Sequence, residues 1–409
     1  MFSIDNFYTI LHTNLIEPLP ADSFSLYFTP FGTYDNCEVV KTYTNNNRHN
    51  QKYLPPAKKN FIQCNFFDQE PFYKETESIA DTTITTGIIN WYVDGFDAVG
   101  RINIIATSEK STALSEYVKS KKIYNWYYFF HGFAALDWYG TFIYAPPAHF
   151  NRFDKVFICY NHLTSKYRSY RLHLVSNLIE QDLIKHGYVS LFADNWKQTI
   201  ADPESPLDTR ARIKIYQTLK MVKLPLTVDT DNPHGGLSAT VRLDDLTKAL
   251  FHIVTETVYF HDKLHLTEKI FKPIVARRPF FLVAAPGNLA YLKSYGFRTF
   301  DRWIDESYDT ETDHYIRIEK ITAELARLCT MDPSALEQMY LEMQEVLEYN
   351  FNHFYGDFKK IIVNELVDNF EHILNQINHG RQPNNHSRYH KRYDLLPQYL
   401  DDVKQRLSN

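Results

Sequence analysis

Cysteine is scarce in this chain. Cys37, Cys64, Cys159 and Cys329 are the four present in 409 residues, they lie far apart, and none forms a CxxC pair. That spacing argues against a zinc site and leaves reduced thiols, suited to a cytoplasmic compartment, as the simplest reading. No segment approaches the roughly 18 consecutive apolar residues of a membrane span. The opening "MFSIDNFYTILHTNL" has an early acid and no basic n-region, so it does not read as a secretory signal. A basic excess is missing too. The formal net charge of −5 argues against a globally basic nucleic-acid binder, although local patches stay open because a surface field depends on where charges sit. There is no internal repeat and no low-complexity tract.

What the chain has is apolar and aromatic. Hydrophobic residues make up 44%, enough for large cores, which excludes global disorder. The length suggests two or three domains. Aromatics reach 15%, which fits stacking or sugar-binding surfaces as well as a plain core. Apolar runs alternate with turns and helical patterns. Strands are expected at 60–67, 102–106 and 155–161, and in "YVSLFA", "FHIVTET" and "PFFLVAA". "NWYYFFHGFAALDWYG" reads as an aromatic strand that breaks at His131-Gly132, and Thr107 and Ser108 read as a helix start. "SYRLHLVSNLIEQDLIKHG" reads as an amphipathic helix stopped by Gly187. Helices are expected at 310–328, 333–349 and 357–377, and a weak one closes the chain. Strands alternating with helices predict an α/β fold with mostly parallel sheets. A boundary at 145–153, marked by Pro146 and Pro147, divides it into 1–150 and 151–378, with 379–409 as linker and terminal helix.

The stretch "HLTEKIFKPIVARRPFFLVAAPGNL" carries the chemistry. Thr267 is a good N-cap, which puts Glu268 and Lys269 in a first helical turn. Free N–H groups and a partial positive charge there suit a phosphate, Lys269 adds a full charge, and Glu268 can accept from a ribose diol. The plain alternative is that Glu268 complements the helix dipole and Lys269 is solvated. "VFICYNHLTSKYRSYRLHLV" adds Asn161 after a strand, and Arg168 and Arg171, whose guanidinium forks match phosphate oxygens. Their alternative is an exposed basic turn.

"VTET", "TEKIFKPI" and "RRPFFLVAAPGNL" together resemble the donor domain of GT-B glycosyltransferases of the α-1,3-fucosyltransferase and exostosin type, over about a third of the chain. The resemblance implies two Rossmann-like domains facing across a cleft, with C-terminal helices. It implies a UDP- or GDP-sugar as cosubstrate, no bound cofactor or metal, Glu268 on the ribose and Lys269 on the pyrophosphate. The Ex7E spacing of many retaining GT-B enzymes is absent, since the Glu after Glu256 is Glu268. "DQEP", "YYFFHGFAALDWY", "RSYR" and "TEKIFKPI" also resemble glycosyltransferases encoded by bacteriophages, over most of the chain.

Transfer to a hydroxyl needs a base and a stabilised leaving diphosphate. "FFDQEPF" sets Asp68 and Glu70 just past a strand, with Pro71 holding Glu70 extended. His131 and Asp137 of "HGFAALDW" are rivals. The alternatives are exposed turn carboxylates and a core histidine. "DESYDTETD" lacks the order of a calcium loop and reads as an acidic helix start. Three basic runs interleaved with tyrosine, "NNNRHNQKYLPPAKK", "YVKSKKIYNWYY" and "HSRYHKRY", suit phosphate contacts and base stacking, or else solvated surface. The last contains Arg388, Tyr389, Lys391 and Arg392. With these runs, the resemblance to bacteriophage glycosyltransferases, some of which glycosylate hydroxymethylated pyrimidines in viral DNA, implies a 5-hydroxymethyl pyrimidine in DNA as the leading acceptor. A glycan or protein acceptor, as in the fucosyltransferases, is the alternative, and a non-catalytic nucleotide-binding or virion-associated module is the second.

Overall fold

A computed structural model describes residues 4, 7–11, 15, 25–30, 61–67, 71–73, 84–85, 102–144, 153–192, 195–228, 239–380 and 396–408. The chain forms two compact units, Met1–Asp137 with Lys359–Asn409, and Trp138–Phe358. The architecture is mixed α/β, with helices interspersed among parallel strands, consistent with a generic Rossmann-like fold.

Unit 1 is built on a parallel sheet in the order β1 (Ser25–Pro30), β2 (Phe61–Phe67), β3 (Ile102–Thr107), β4 (Tyr124–Tyr127). The register sets Phe66, Ala106 and Trp126 in one row. Side chains alternate along a strand, so Phe67 and Ile105 face the other way. There they join Phe72, Leu114 and Ile123 in one core cluster. On the first face, Tyr8 of α1 (Phe7–Leu11) meets Phe66 with ring centroids 4.8 Å apart.

Two helix starts differ from the sequence reading. α2 (Thr112–Lys121) begins after Ser111, whose hydroxyl accepts the Leu114 N–H at 3.2 Å. Thr107 instead ends β3, and Ser108 accepts the Phe130 N–H at 3.1 Å, opening α3 (Phe130–Trp138). The expected aromatic strand is thus β4 followed by a helix. Phe130 through Ala135 are all buried, so this helix has no polar face at its start, and its sequence carries no helical period to read.

Unit 2 is a second parallel sheet in the order β6 (Gly187–Val189), β5 (Lys155–Cys159), β7 (Ala249–Thr255), β8 (Phe280–Val283). From β5 the chain runs through α4 (Tyr170–Glu180) to the edge at β6, then returns to the other side of β5 for β7 and β8. The β5/β7 pair is therefore a topological switch point, where open α/β sheets leave a crevice beyond the carboxyl ends of the strands. Gly187 does not stop α4, which ends at Glu180; it caps the 3-10 turn Ile184–His186. It opens β6, and a Cβ there would lie 2.2 Å from the Phe157 ring, so close strand packing demands glycine.

Beyond β7 come α5 (Phe271–Val275), α6 (Asn288–Ser294), α7 (His314–Cys329) and α8 (Pro333–Tyr355). The acidic run 305–313 organises this region as helix starts. Asp309 accepts the Leu289 and Ala290 N–H groups of α6 at 2.8 and 3.1 Å. Asp313 accepts those of Tyr315 and Ile316 in α7 at 2.8 and 3.1 Å.

The next helix, α9 (Asp357–Gly380), returns to unit 1, and α10 (Leu396–Ser408) follows it there. The Trp126 indole donates to the Leu366 carbonyl at 3.0 Å, its ring lies 4.8 Å from that of Phe370, and Asn369 Nδ2 donates to the Tyr127 carbonyl at 2.8 Å. The break between units thus falls at Asp137 rather than at 145–153, and most of 357–377 belongs with the first sheet. Helical periodicity shows that α9 buries one face but not which sheet that face meets. Among the described residues no helix is long and apolar enough to cross a membrane.

Trp126 joins the two parts of unit 1. Trp126→Ala is expected to cost about 3–5 kcal/mol, the scale of deleting a buried aromatic. Chemical denaturation followed by circular dichroism checks this, and a loss below 1 kcal/mol, roughly the noise of such a cavity argument, refutes it.

Candidate functional site at the switch point

Glu256, the first residue after β7, is completely buried. Its carboxylate accepts three hydrogen bonds: from the Thr257 N–H at 3.3 Å, the Thr267 N–H at 3.2 Å and the Thr267 hydroxyl at 2.5 Å. Thr267 is the N-cap of a 3-10 turn, Glu268–Ile270, that runs into α5. Having donated its proton to Glu256, the Thr267 hydroxyl accepts from Lys269 Nζ at 3.0 Å and, more weakly, from the Lys269 N–H at 3.4 Å. Lys269 Nζ also lies 3.3 Å from Glu268 Oε1.

The regular helix expected at "TEKIFKPI" is one 3-10 turn and a five-residue helix. Pro273, inside that helix, has no N–H to donate, and this limits it. So short an element has little macrodipole, and side-chain charge becomes the main source of any anion affinity. The plain alternative for Glu268 also changes. Its side chain is buried at 3% exposure, so it is no solvated carboxylate balancing a dipole. Tyr139 is buried nearby, and burial first, then Glu268 and Glu256, push its hydroxyl well above the usual tyrosine range.

Sequence reasoning missed Lys272. It stands four residues after Glu268, a spacing that brings side chains together on a helical turn, and this i,i+4 pair was the signal available in "TEKIFK". Lys272 is half-buried. Burial lowers its ammonium to about 8, with Glu268 opposing that shift and Lys269 adding to it. Among the described residues its ammonium forms no hydrogen bond or ion pair.

The β5 side of the switch point is polar and buried as well. The Asn161 N–H donates to Ser190 Oγ at 3.1 Å, and Asn161 Nδ2 donates to the Ser190 carbonyl and Cys159 Sγ, each at 3.2 Å. Asn161 Oδ1 is buried with no hydrogen-bond partner among the described residues. Burial pushes the Cys159 thiol up to about 12, which keeps it an inert proton carrier. Arg171, in the first turn of α4, donates from NH1 to the Leu163 carbonyl at 2.8 Å, and from NH2 to the Thr255 and Glu256 carbonyls at 2.9 and 3.1 Å. These bonds tie the loop after β5 to the end of β7. Among the described residues only its buried Nε is left without a partner. Arg168, in the 3-10 turn Lys166–Arg168, is half-buried and is the more accessible arginine.

The structure thus brings Asn161, Arg171, Thr267, Glu268 and Lys269 to the carboxyl ends of adjacent strands of one unit. His131 is buried in α3 of unit 1, its ring edge-on to Phe130 at 5.6 Å. Asp137 accepts the Ile4 N–H at 3.0 Å. Asp68, Glu70, Arg388, Tyr389, Lys391 and Arg392 lie outside the described residues. Among the described residues no group of three or more His, Cys, Asp or Glu side chains is placed to hold a metal ion. No family model, curated protein or solved structure matches the chain.

Thr267→Val removes the hydroxyl that serves both Glu256 and Lys269. It is expected to destabilise the protein by about 1.5–3 kcal/mol, the range for a hydrogen bond to a charged group. Thr267→Ser should recover most of this. Equal stability of all three proteins in urea titrations refutes the assignment.

Proposed function

We propose that the chain is a glycosyltransferase whose unit 2 binds a nucleoside diphosphate sugar at the β5/β7 switch point. The observation that carries this reading is the Glu256–Thr267–Glu268–Lys269 network, buried except at Lys269, at that point of a parallel sheet. In the proposed complex Lys269 and Arg168 hold the diphosphate, and Glu268 accepts from the ribose diol. Positive charge fixed beside the leaving diphosphate stabilises the transition state more than the ground state, because negative charge grows there as the glycosidic bond breaks. Thr267 keeps Lys269 aimed and costs no reorganisation during the step.

The reading includes the GT-B organisation, with unit 1 as the acceptor half and Glu70 as the base. Asp68 and His131 remain rivals, and the burial of His131 in α3 favours Glu70 over it. The acceptor proposed is a 5-hydroxymethyl pyrimidine in DNA, supported by the basic and aromatic runs and by the resemblance to bacteriophage glycosyltransferases. A primary alcohol needs only modest activation, which one carboxylate supplies. A base reaches an active site out of the stack, so unpaired sites should react faster than paired ones.

Lys269→Ala should weaken UDP or GDP binding by about 1.5–3 kcal/mol in calorimetry, and unchanged affinity refutes the donor site. Glu70→Gln should lower turnover by ~10²-fold or more with donor binding intact. Mass spectrometry of hydroxymethylated DNA, plain DNA, RNA and glycan acceptors, each incubated with a panel of nucleotide sugars, tests the acceptor. A hexose- or pentose-sized gain is expected on hydroxymethylated DNA. A gain on the glycan alone replaces DNA with the fucosyltransferase-like acceptor.

A further inference from the structure

Unit 2 has a groove of about 470 Å³ at the helices Trp196–Ala201 and Thr209–Leu219, and none of its lining residues belongs to the switch-point network. Its walls are mostly apolar, with Ile200 and Ala201 from the first helix and Ile213 and Tyr216 from the second. Ile213, Tyr216 and Lys220 follow one another at spacings of three and four, which sets them along one helical face. Ile213 and Tyr216 are exposed, and so is Met221 just beyond. Apolar side chains clustered around a concavity mark a binding surface, whereas single exposed ones do not. The charges of the groove have one sign. Lys197, Arg212 and Lys220 line it, and no carboxylate does. Among the described residues neither lysine forms an ion pair, and each ammonium lies 5.6 Å from a ring instead, Lys197 over Trp196 and Lys220 over Tyr216. Arg212 donates to the carbonyls of Leu207 at 2.7 Å, Ile200 at 2.6 Å and Ser205 at 2.8 Å, which ties the two helices and the loop between them into a preformed wall. The nearby acids are engaged elsewhere. Glu180 pairs with Lys214 at 3.1 Å and accepts from the Thr218 hydroxyl at 2.6 Å, and Asp208 accepts the Ala211 N–H at 2.8 Å.

We propose that this groove docks an acidic amphipathic helix of a partner protein. An apolar side chain of that helix seats against Ile213 and Tyr216, and its flanking Asp or Glu residues meet Lys197 and Lys220. Charge complementarity selects this occupant, because a groove with three cations and no acid rewards an anionic partner and repels a basic one. Shape narrows the choice further. A helix laid in a groove presents apolar anchors three or four residues apart, which match a narrow apolar concavity. A bilayer surface is flat and does not fill one. A single nucleic-acid strand is held by ring faces on which bases stack, and Tyr216 is the one aromatic side chain in the lining. The surface is small, so the complex belongs to the weak and transient class, with micromolar affinity. The groove takes this role whether or not the switch point binds a nucleotide sugar.

The test is selection from a display library of random peptides of about 15 residues, roughly four helical turns, on the full chain. Two variants serve as controls, the double change Lys197→Glu with Lys220→Glu and the single change Ile213→Asn, and thermal unfolding verifies that each folds. Enriched peptides should carry Asp or Glu around apolar residues spaced by three or four. Fluorescence anisotropy of such a peptide should give micromolar binding to native protein, weakened by about tenfold or more in each variant. The same peptide with Lys in place of its acids should bind the double variant better than native protein. No enrichment, enriched peptides without acids, or native affinity in both variants overturns the proposal. In the absence of peptide binding, groove-dependent binding of phosphatidylserine vesicles or of a single-stranded oligonucleotide also overturns it and gives the surface to a membrane or a nucleic acid. Self-association in sedimentation that both variants abolish overturns it in favour of a second copy of this chain.

Discussion

The candidate site depends on one buried carboxylate. Left bare in the interior, the side chain of Glu256 would cost several kcal/mol. It accepts three donors, and two of them belong to Thr267, which the chain reaches only after leaving the sheet and returning to it. The same residue's main-chain oxygen accepts from Arg171 at 3.1 Å and from the Tyr170 hydroxyl at 2.6 Å. Its side chain therefore holds the turn that carries Glu268 and Lys269, and its backbone holds the start of α4. A defect at Glu256 would loosen both sides of the switch point together.

Two buried arginines, Arg171 and Arg317, flank that point. Tyr170 stacks on Tyr259 with centroids 4.2 Å apart, the Arg317 guanidinium lies 4.3 Å from the Tyr259 ring, and that of Arg171 lies 5.8 Å from the Tyr170 ring. Two arginines thus cap a pair of tyrosines. Neither forms a salt bridge among the described residues, and carbonyl oxygens take their N–H groups instead, as Arg317 NH1 does with Ala284 at 3.0 Å. Aromatic faces and carbonyls tolerate a guanidinium without cancelling its charge. The two guanidiniums are thus held in the core by rings and carbonyl oxygens rather than by direct ion pairs.

How much of this was legible in the sequence follows from the range of each signal. Strands such as "KVFIC" and "PFFLV", the Thr267 cap and the long helices were readable because a period or a cap is local. The helix at Phe130 was not, because an element buried all round has no period. Gly187 caps only the 3-10 turn Ile184–His186, not the long helix before it, and its close approach to the Phe157 ring in a neighbouring strand was not readable. The return of α9 to unit 1 depends on contacts between residues 240 positions apart, as with Trp126 and Leu366. In the site, "TEK" announced Glu268 and Lys269, but not that Glu256 would hold them, nor that Arg171 would be committed to carbonyls. Each of these depends on which strand lies beside which, and composition and spacing do not encode that.

The net charge of −5 and an anion site are compatible once the charges are located. Many carboxylates of unit 2 are committed elsewhere. Asp309 and Asp313 start α6 and α7, and Glu306 accepts the Phe300 N–H and the Thr299 hydroxyl, each at 2.7 Å. These acids raise the negative charge of the whole without facing the end of β7 through any of those bonds. The cations at the switch point are few, whereas a polyelectrolyte is held by many. The proposed diphosphate ligand is a compact anion, which a few cations can hold. If the chain also engages DNA, the contacts that do so must come from other residues and be few in number, since the chain as a whole repels phosphate.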